Sequence, residues 1–210
     1  MPPEQVWVGP QESGADSADQ GPIDRLVERA RRGDPDALTA LYRRFAVRVY
    51  RFCLARVGRA ADAEDLMQVT LLKVTEGLPS YETRGLPFAA WVFRIARNAV
   101  IDFERTDRDR RVPHVLGEPH DPNATPDEVA EQTAERNSLA VALRSLTPEQ
   151  REVISLRFFA GLSASEIGHL MGKREPAVRA LQWRALKAMH SRLSTNETSA
   201  FALPGRAANR

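Results

Sequence analysis

The chain is nearly devoid of cysteine: Cys53 stands alone, so no disulfide can close within it and no Cys-rich zinc site can be built from it. It also lacks any apolar run of the roughly 20 residues needed to span a bilayer. Its first 21 residues, MPPEQVWVGPQESGADSADQG, have neither the basic start nor the apolar stretch of a secretory signal. These absences predict a cytoplasmic protein with no membrane insertion. Lysine is scarce, with only Lys73, Lys173 and Lys187 among 30 basic residues; the arginine excess fits a GC-rich coding sequence and carries no functional weight. No segment alternates apolar and polar residues over a useful strand length, so the expected fold class is all-α.

Catalytic signatures are missing too. His114, His120, His169 and His190 do not have metal-ligand spacing, two of them fall in an expected linker, and there is no glycine-rich phosphate loop or nucleophile elbow. The expectation is a protein that is not an enzyme and uses no metal or cofactor.

What the chain does have is partitioned charge. The net charge of +2 over 210 residues conceals four acids and no base in 1–21, a balance of +5 in 22–111, −5 in 112–138 and +5 in 139–195. Two basic blocks separated by an acidic joint suit two modules that meet a polyanion, although solvated helix surface would show the same balance.

The organisation follows the charge. Residues 1–21 are rich in Gly, Pro, Ser, Asp and Gln and read as a disordered leader. Ile23 to Arg32 has helical spacing and stops at Gly33; Asp34 and Pro35 then supply an N-cap and a first-turn proline. The second helix carries a stripe of Leu38, Leu41, Tyr42, Phe45, Val49, Phe52 and Cys53 and ends at Gly58. A third runs from about Asp62 to Gly77 with Leu66, Val69 and Leu72 setting its period. Pro79, Gly85 and Pro87 mark a loop, and a fourth helix extends from Phe88 to about Arg105. Residues 112–125, with Pro113, Pro119 and Pro122, are the expected flexible linker.

Three capping boxes mark helix starts in the second module, 126–195: Thr125-Pro-Asp-Glu128, Thr147-Pro-Glu-Gln150 and Ser163-Ala-Ser-Glu166. In each the hydroxyl meets the third helical N–H while the Glu or Gln side chain returns to the cap. Residues 196–210 are the tail. The expected architecture is thus two small helical domains on a flexible linker.

Two constellations carry chemistry. Leu162 to Leu186 holds a short capped helix, a tight turn at Met171-Gly172 and a longer helix packed through Val178, Leu181, Ala185 and Leu186. This is helix-turn-helix grammar, with Arg174, Arg179 and Arg184 left for a major groove; an ordinary helical hairpin with a basic outer face shares the pattern. The second constellation mixes Tyr81, Arg84, Phe88, Trp91, Phe93, Arg94, Arg97, Asn98, Arg105, Arg108, Arg110 and Arg111. Rings beside guanidinium groups suit a single strand, whose bases stack while its phosphates are neutralised. Core packing of Phe88, Trp91, Ile95 and Phe103 along one stripe explains most of the rings equally well.

Together these residues resemble an extracytoplasmic-function (ECF, group 4) sigma factor, the small class of bacterial RNA polymerase specificity subunit. Ala63-Glu-Asp-Leu-Met-Gln68 is similar to the family's polymerase-binding helix, and Phe88-Ala-Ala-Trp-Val-Phe-Arg-Ile-Ala-Arg-Asn98 to its promoter-melting helix. Leu146 to Phe158 and the helix-turn-helix look like region four. Three positions depart from the pattern: Val69 where an acid is usual, and Glu175 and Pro176 where smaller residues are common.

The resemblance implies region two over 22–111 and region four over 126–195, with core polymerase, through the clamp helices of its largest subunit, and promoter DNA as partners. An anti-sigma factor is a further possible partner. Asp65 and Gln68 would face the polymerase. Arg84, Arg97 and Asn98 would hold the opened minus-ten element, and Lys173, Arg174, Arg179 and Arg184 the minus-thirty-five element, with Trp183 expected to pack. Glu118 and Asp121 in the linker would mimic RNA charge.

Overall fold

The computed structural model describes residues 15–83, 85–106 and 138–200, the side chains of 15–20 and 195–200 excepted. Residues 1–14, Arg84, the linker with the Thr125 capping box, and 201–210 therefore lie outside the described residues. Within those bounds all regular structure is helical. The first unit holds α1 (Ala15–Arg31), α2 (Pro35–Val57), α3 (Ala60–Gly77), a 3-10 turn at Leu78–Ser80 and α4 (Phe88–Thr106); the second holds α5 (138–144), α6 (Pro148–Phe158), α7 (Ala164–Met171) and α8 (Glu175–Ala200).

Local chemistry accounts for the helix ends. Asp34 accepts hydrogen bonds from the N–H groups of Asp36 and Ala37 at 3.0 and 3.1 Å, with Pro35 in the first turn of α2. The Ala37 N–H, more than the Arg29 guanidinium, holds the Asp34 carboxyl below its ordinary range. Gly58 closes α2 in the left-handed region, φ 78°, where a Cβ would be strained. Both Thr147–Gln150 and Ser163–Glu166 form complete reciprocal boxes, each cap contributing about 1 kcal/mol.

One boundary differs from the sequence expectation. Residues 15–21 of the expected disordered leader are helical, and α1 runs through Pro22. A proline removes one donor and crowds the preceding turn. The helix runs on into an anchored segment, for Ile23 and Val27 are buried in the core.

Phe45, Phe52, Phe88 and Phe93 are all buried to 2% exposure or less. Phe45 meets Phe88, and Phe52 meets Phe93, edge to face at 5.5 Å. Each buried ring contributes about 2–3 kcal/mol by leaving water, and the edge contacts about 0.5–1.5 kcal/mol more. The expected stripe of α2 holds except at Tyr42, which is 51% exposed.

On α3 the buried face is Ala63, Leu66, Thr70, Leu71 and Val74, whereas Val69 and Leu72 are 43% and 59% exposed. The core stripe is thus rotated from the expected Leu66, Val69, Leu72 series. Thr70 can be buried because its hydroxyl donates to the Leu66 carbonyl at 2.7 Å.

The two units pack on each other. Val153, Leu156, Leu162, Ile167 and Val178 of the second share one buried cluster with the rings of the first. On its other side α6 presents Ile154 to Leu143, Leu146 and Ala185. Helix α6 therefore lies between α2 and α8.

Candidate nucleic-acid interface

Three surfaces collect the residues of interest. On α3, Asp65 and Gln68 are exposed one turn apart, and the exposed Val69 and Leu72 extend the same side of the helix. The face has a polar end and two exposed aliphatic side chains beyond it. Sequence periodicity places Val69 and Leu72 in the core; their exposure is what makes this face a candidate.

The second surface is the loop before α4 and the outer side of that helix. Tyr81, Phe88 and Trp91 form one aromatic group, with Tyr81 to Phe88 at 5.1 Å, Tyr81 to Trp91 at 4.8 Å and Phe88 to Trp91 at 5.4 Å. Phe88 is core, while Trp91 is half-buried and lines a cleft of about 470 Å³ with Tyr81, Lys73, Arg94 and Leu170. Burial raises the Tyr81 phenol above its ordinary value, so it stays neutral and able to donate at physiological pH.

Arg94 and Asn98 are exposed, four residues apart on α4. Arg97 instead turns toward the second unit and donates to Glu152. Arg94, which lines the cleft, is omitted from the expected site set although it lies in the aromatic and arginine constellation; Asn98 is not among the residues lining it. Arg84 lies outside the described residues.

The third surface is the helix-turn-helix. Gly172 adopts φ 65° and ends α7, and its N–H donates to the Gly168 carbonyl. Gly168 is required for a different reason: a Cβ there would stand 2.6 Å from the Lys173 carbonyl oxygen. Val178 and Ala185 of α8 are fully buried and Leu181 nearly so. Arg174, Arg179 and Arg184 are exposed.

Their present partners are weak ones. Arg179 pairs with Glu175 at 2.7 Å, Arg184 donates to the Ala180 carbonyl at 3.2 Å, and Lys173 ties the turn to Glu149 at 2.8 Å. An exposed pair one turn apart is worth about 0.3–0.5 kcal/mol, so phosphate or a base edge would displace Glu175 readily. Trp183 corrects an expectation. It is 62% exposed with Lys187 at 5.2 Å from its ring, because position 183 lies about 140° from Val178 and about 160° from Leu181 and Ala185 around the helix, opposite the buried stripe.

Comparison with known proteins accounts for both halves of this arrangement. The Sigma-70 region 2 family matches residues 41–111, and the Sigma-70, region 4 family matches residues 142–190. The ECF RNA polymerase sigma factor BldN of Streptomyces coelicolor is 36% identical over 178 residues, covering 83% of this chain and 67% of its own length. The ECF sigma factor SigD of Mycobacterium tuberculosis is 35% identical over 171 residues, covering 79% and 81%. The chain belongs to the ECF sigma factors.

Solved structures agree at the level of fold. CnrH, in complex with the cytosolic domain of CnrY, superposes with a TM-score of 0.61 at 25% identity, covering 82% of this chain and 98% of its own. The sigma factor RpoE of Bartonella quintana, in complex with the anti-sigma factor NepR, gives 0.60 at 22% identity, covering 74% and 96%. This sigma factor is accordingly a promoter-recognition and transcription-initiation factor for RNA polymerase, with no catalysis of its own. The region 2 match starts within α2 and runs past the end of α4, and the region 4 match takes in α6, α7 and α8 as far as residue 190. No helix among the described residues is long and apolar enough to cross a membrane.

Proposed function

We propose that this sigma factor docks on core polymerase through the Asp65, Gln68, Val69 and Leu72 face of α3. It reads the minus-thirty-five element with α8 and holds the opened minus-ten strand against α4 and the loop before it, promoting DNA melting. The functional regions run 22–111 and 126–195, joined by the 112–125 tether, where Glu118 and Asp121 supply negative charge toward basic channels. The cycle takes place in the cytoplasm, and an anti-sigma factor is a further partner, as in the Bartonella complex.

The observation that carries this reading is the helix-turn-helix, whose α8 buries Val178, Leu181 and Ala185 and exposes Arg174, Arg179 and Arg184. Arg179 and Arg184 are five residues apart, about 7.5 Å along the axis and about 140° around it, so they cannot address one base. Arg179, nearer the N-terminal end, reads a base edge; Arg184 holds a phosphate, and Lys173 and Arg174 anchor the backbone at the turn. At the minus-ten side a base drawn from the stack costs a few kcal/mol. The cleft beside Tyr81 and Trp91 offers stacking for it, Arg84 and Arg97 neutralise phosphates, and Asn98 adds a polar contact.

Run-off transcription with core polymerase, with and without the chain, tests the reading. Permanganate footprinting then reports melting, which should weaken in Arg84→Ala and Arg97→Ala. A chain that gives core polymerase no promoter-dependent transcript refutes the proposal.

A further inference from the structure

We propose that the N-terminal leader is a built-in ligand of the first unit. Val6-Trp7-Val8 seats its indole in the apolar groove between α2 and α3, and Glu4 pairs with Arg43 at the mouth.

The groove is open to solvent and almost wholly apolar. It encloses about 350 Å³ between the first half of α2, the last half of α3 and the Leu78–Ser80 turn, with Leu38, Phe45, Leu71, Val74, Leu78 and Phe88 in its walls. Two threonines also line it, and each keeps its hydroxyl for its own helix. Thr39 donates to the Pro35 carbonyl at 2.8 Å and Thr75 to the Leu71 carbonyl at 3.0 Å. Tyr42 stands in the same wall and is 51% exposed, so half of a large ring remains in water beside an apolar surface.

One cation gives the groove a sign. Arg43 lines it, is exposed, and has no hydrogen bond or ion pair among the described residues. Its neighbours on α2 differ, since Arg44, Arg48 and Arg51 all have partners. The occupant that fits has a bulky apolar body and a carboxylate a short distance from it.

The leader has that composition. Residues 1–14 hold Glu4 and Glu12, no base, and a single apolar run, Val6-Trp7-Val8. A segment so short and polar cannot build a core of its own. An indole that buries about 150–250 Å² therefore needs an existing wall. Glu4 is three residues from Trp7, about 10 Å along an extended chain, a separation that the long Arg43 side chain helps to close.

The chain also reaches. Helix α1 has 17 residues, is about 25 Å long, and packs back along α2 and against the Leu78–Ser80 turn from the connection at 32–34. The groove-lining residues of α2 lie between positions 38 and 45, about 5–15 Å from that connection. Ala15 is thus about 10–20 Å beyond the groove along the axis. The backbone from Trp7 to Ala15 spans about 26 Å when extended, enough to turn back to it.

The test labels the full chain with fluorotryptophan at Trp7, Trp91 and Trp183 and assigns the Trp7 fluorine resonance with Trp7→Phe. Exchange of light for heavy water moves the resonance of an exposed indole more than that of a buried one. Trp183, 62% exposed, is the internal standard, and Trp7 should move by less than half as much. Thr75→Tyr, at an exposed rim position of α3, places a ring in the groove and should bring Trp7 to the Trp183 value. Arg43→Glu should move the docked-to-free ratio about threefold toward free, and Glu4→Arg added to it should restore the wild-type ratio. Thr75 and Arg43 are both exposed, so neither change disturbs the core.

A Trp7 shift equal to that of Trp183 in the wild-type chain overturns the inference and leaves the groove to a partner from outside. Burial that both Thr75→Tyr and Arg43→Glu leave unchanged overturns it too. So does burial that disappears on dilution, which would put Trp7 in the groove of a second copy.

Discussion

Replacing Gly168 with alanine sets two effects of opposite sign against each other. Inside a helix the change should stabilise, since glycine is about 1 kcal/mol worse than alanine. Yet the new Cβ would sit 2.6 Å from the Lys173 carbonyl oxygen, about 0.7 Å inside the roughly 3.3 Å at which carbon and oxygen ordinarily meet. The obstacle is backbone and cannot rotate away. The Lys173 N–H donates to the Gly168 carbonyl at 2.9 Å, and Gly172 fixes the turn in the left-handed region, φ 65°.

Forcing the turn open costs about 1–3 kcal/mol as overpacking and a further 0.5–1.5 kcal/mol, roughly, if that hydrogen bond breaks. The net expectation is a loss of about 2 kcal/mol, a fall in thermal midpoint of about 4–8 °C, measured by circular dichroism. Because the same turn sets the angle of α8, binding of a minus-thirty-five duplex should weaken more than stability alone predicts. Gly77→Ala is the control. Its Cβ would meet only the edge of the Trp91 ring, at 3.1 Å, so a small shift of a side chain absorbs it and stability should change by less than about 1 kcal/mol. A Gly168→Ala chain as stable as wild type would refute the steric reasoning, since propensity would then have won.

Further expectations follow from the other surfaces. Asp65→Arg should abolish co-purification with core polymerase while leaving stability within about 0.5 kcal/mol of wild type, because the side chain is exposed. Arg179→Ala should cost about 1–3 kcal/mol and relax discrimination at one or two base pairs, whereas Arg184→Ala should weaken all duplexes alike and lower the salt slope by about one; full selectivity and salt dependence in both would place the DNA-facing side elsewhere. Burial pushes the Cys53 thiol up to about 12, against a smaller opposing pull from Arg56. A folded value above the unfolded 9.0 means its contribution to stability is intact below pH 9 and is lost as pH rises through 12. Iodoacetamide at pH 8 should accordingly label Cys53 only on unfolding, and rapid labelling of the native chain would contradict its burial.

The contrast between what was legible in the sequence and what was not is one of range. Thr147 with Gln150, Ser163 with Glu166, and Asp34 with Pro35 specify their helix ends within a few residues, and all three are as expected. A capping bond depends on nothing distant, so the string contains the whole interaction. Region two and region four were legible for the same reason, each carried by a contiguous run.

The face of α3 was not, because Leu66 belongs to both possible stripes and only the placement of α2 and α4 decides which neighbours join it. Trp183 misled by its size: a large ring reads as core, yet its angular position on α8 leaves it in solvent. Gly168 is an ordinary helical glycine until the Lys173 carbonyl is seen against it. The partnership of Arg97 and Glu152 spans 55 residues and has no local signature at all. A residue assigned to DNA from its helix turns out to hold a carboxylate from the other unit. Arg97 is only half-buried, so water can solvate it when Glu152 withdraws, and a phosphate would compete with that water and with the carboxylate for the same planar fork.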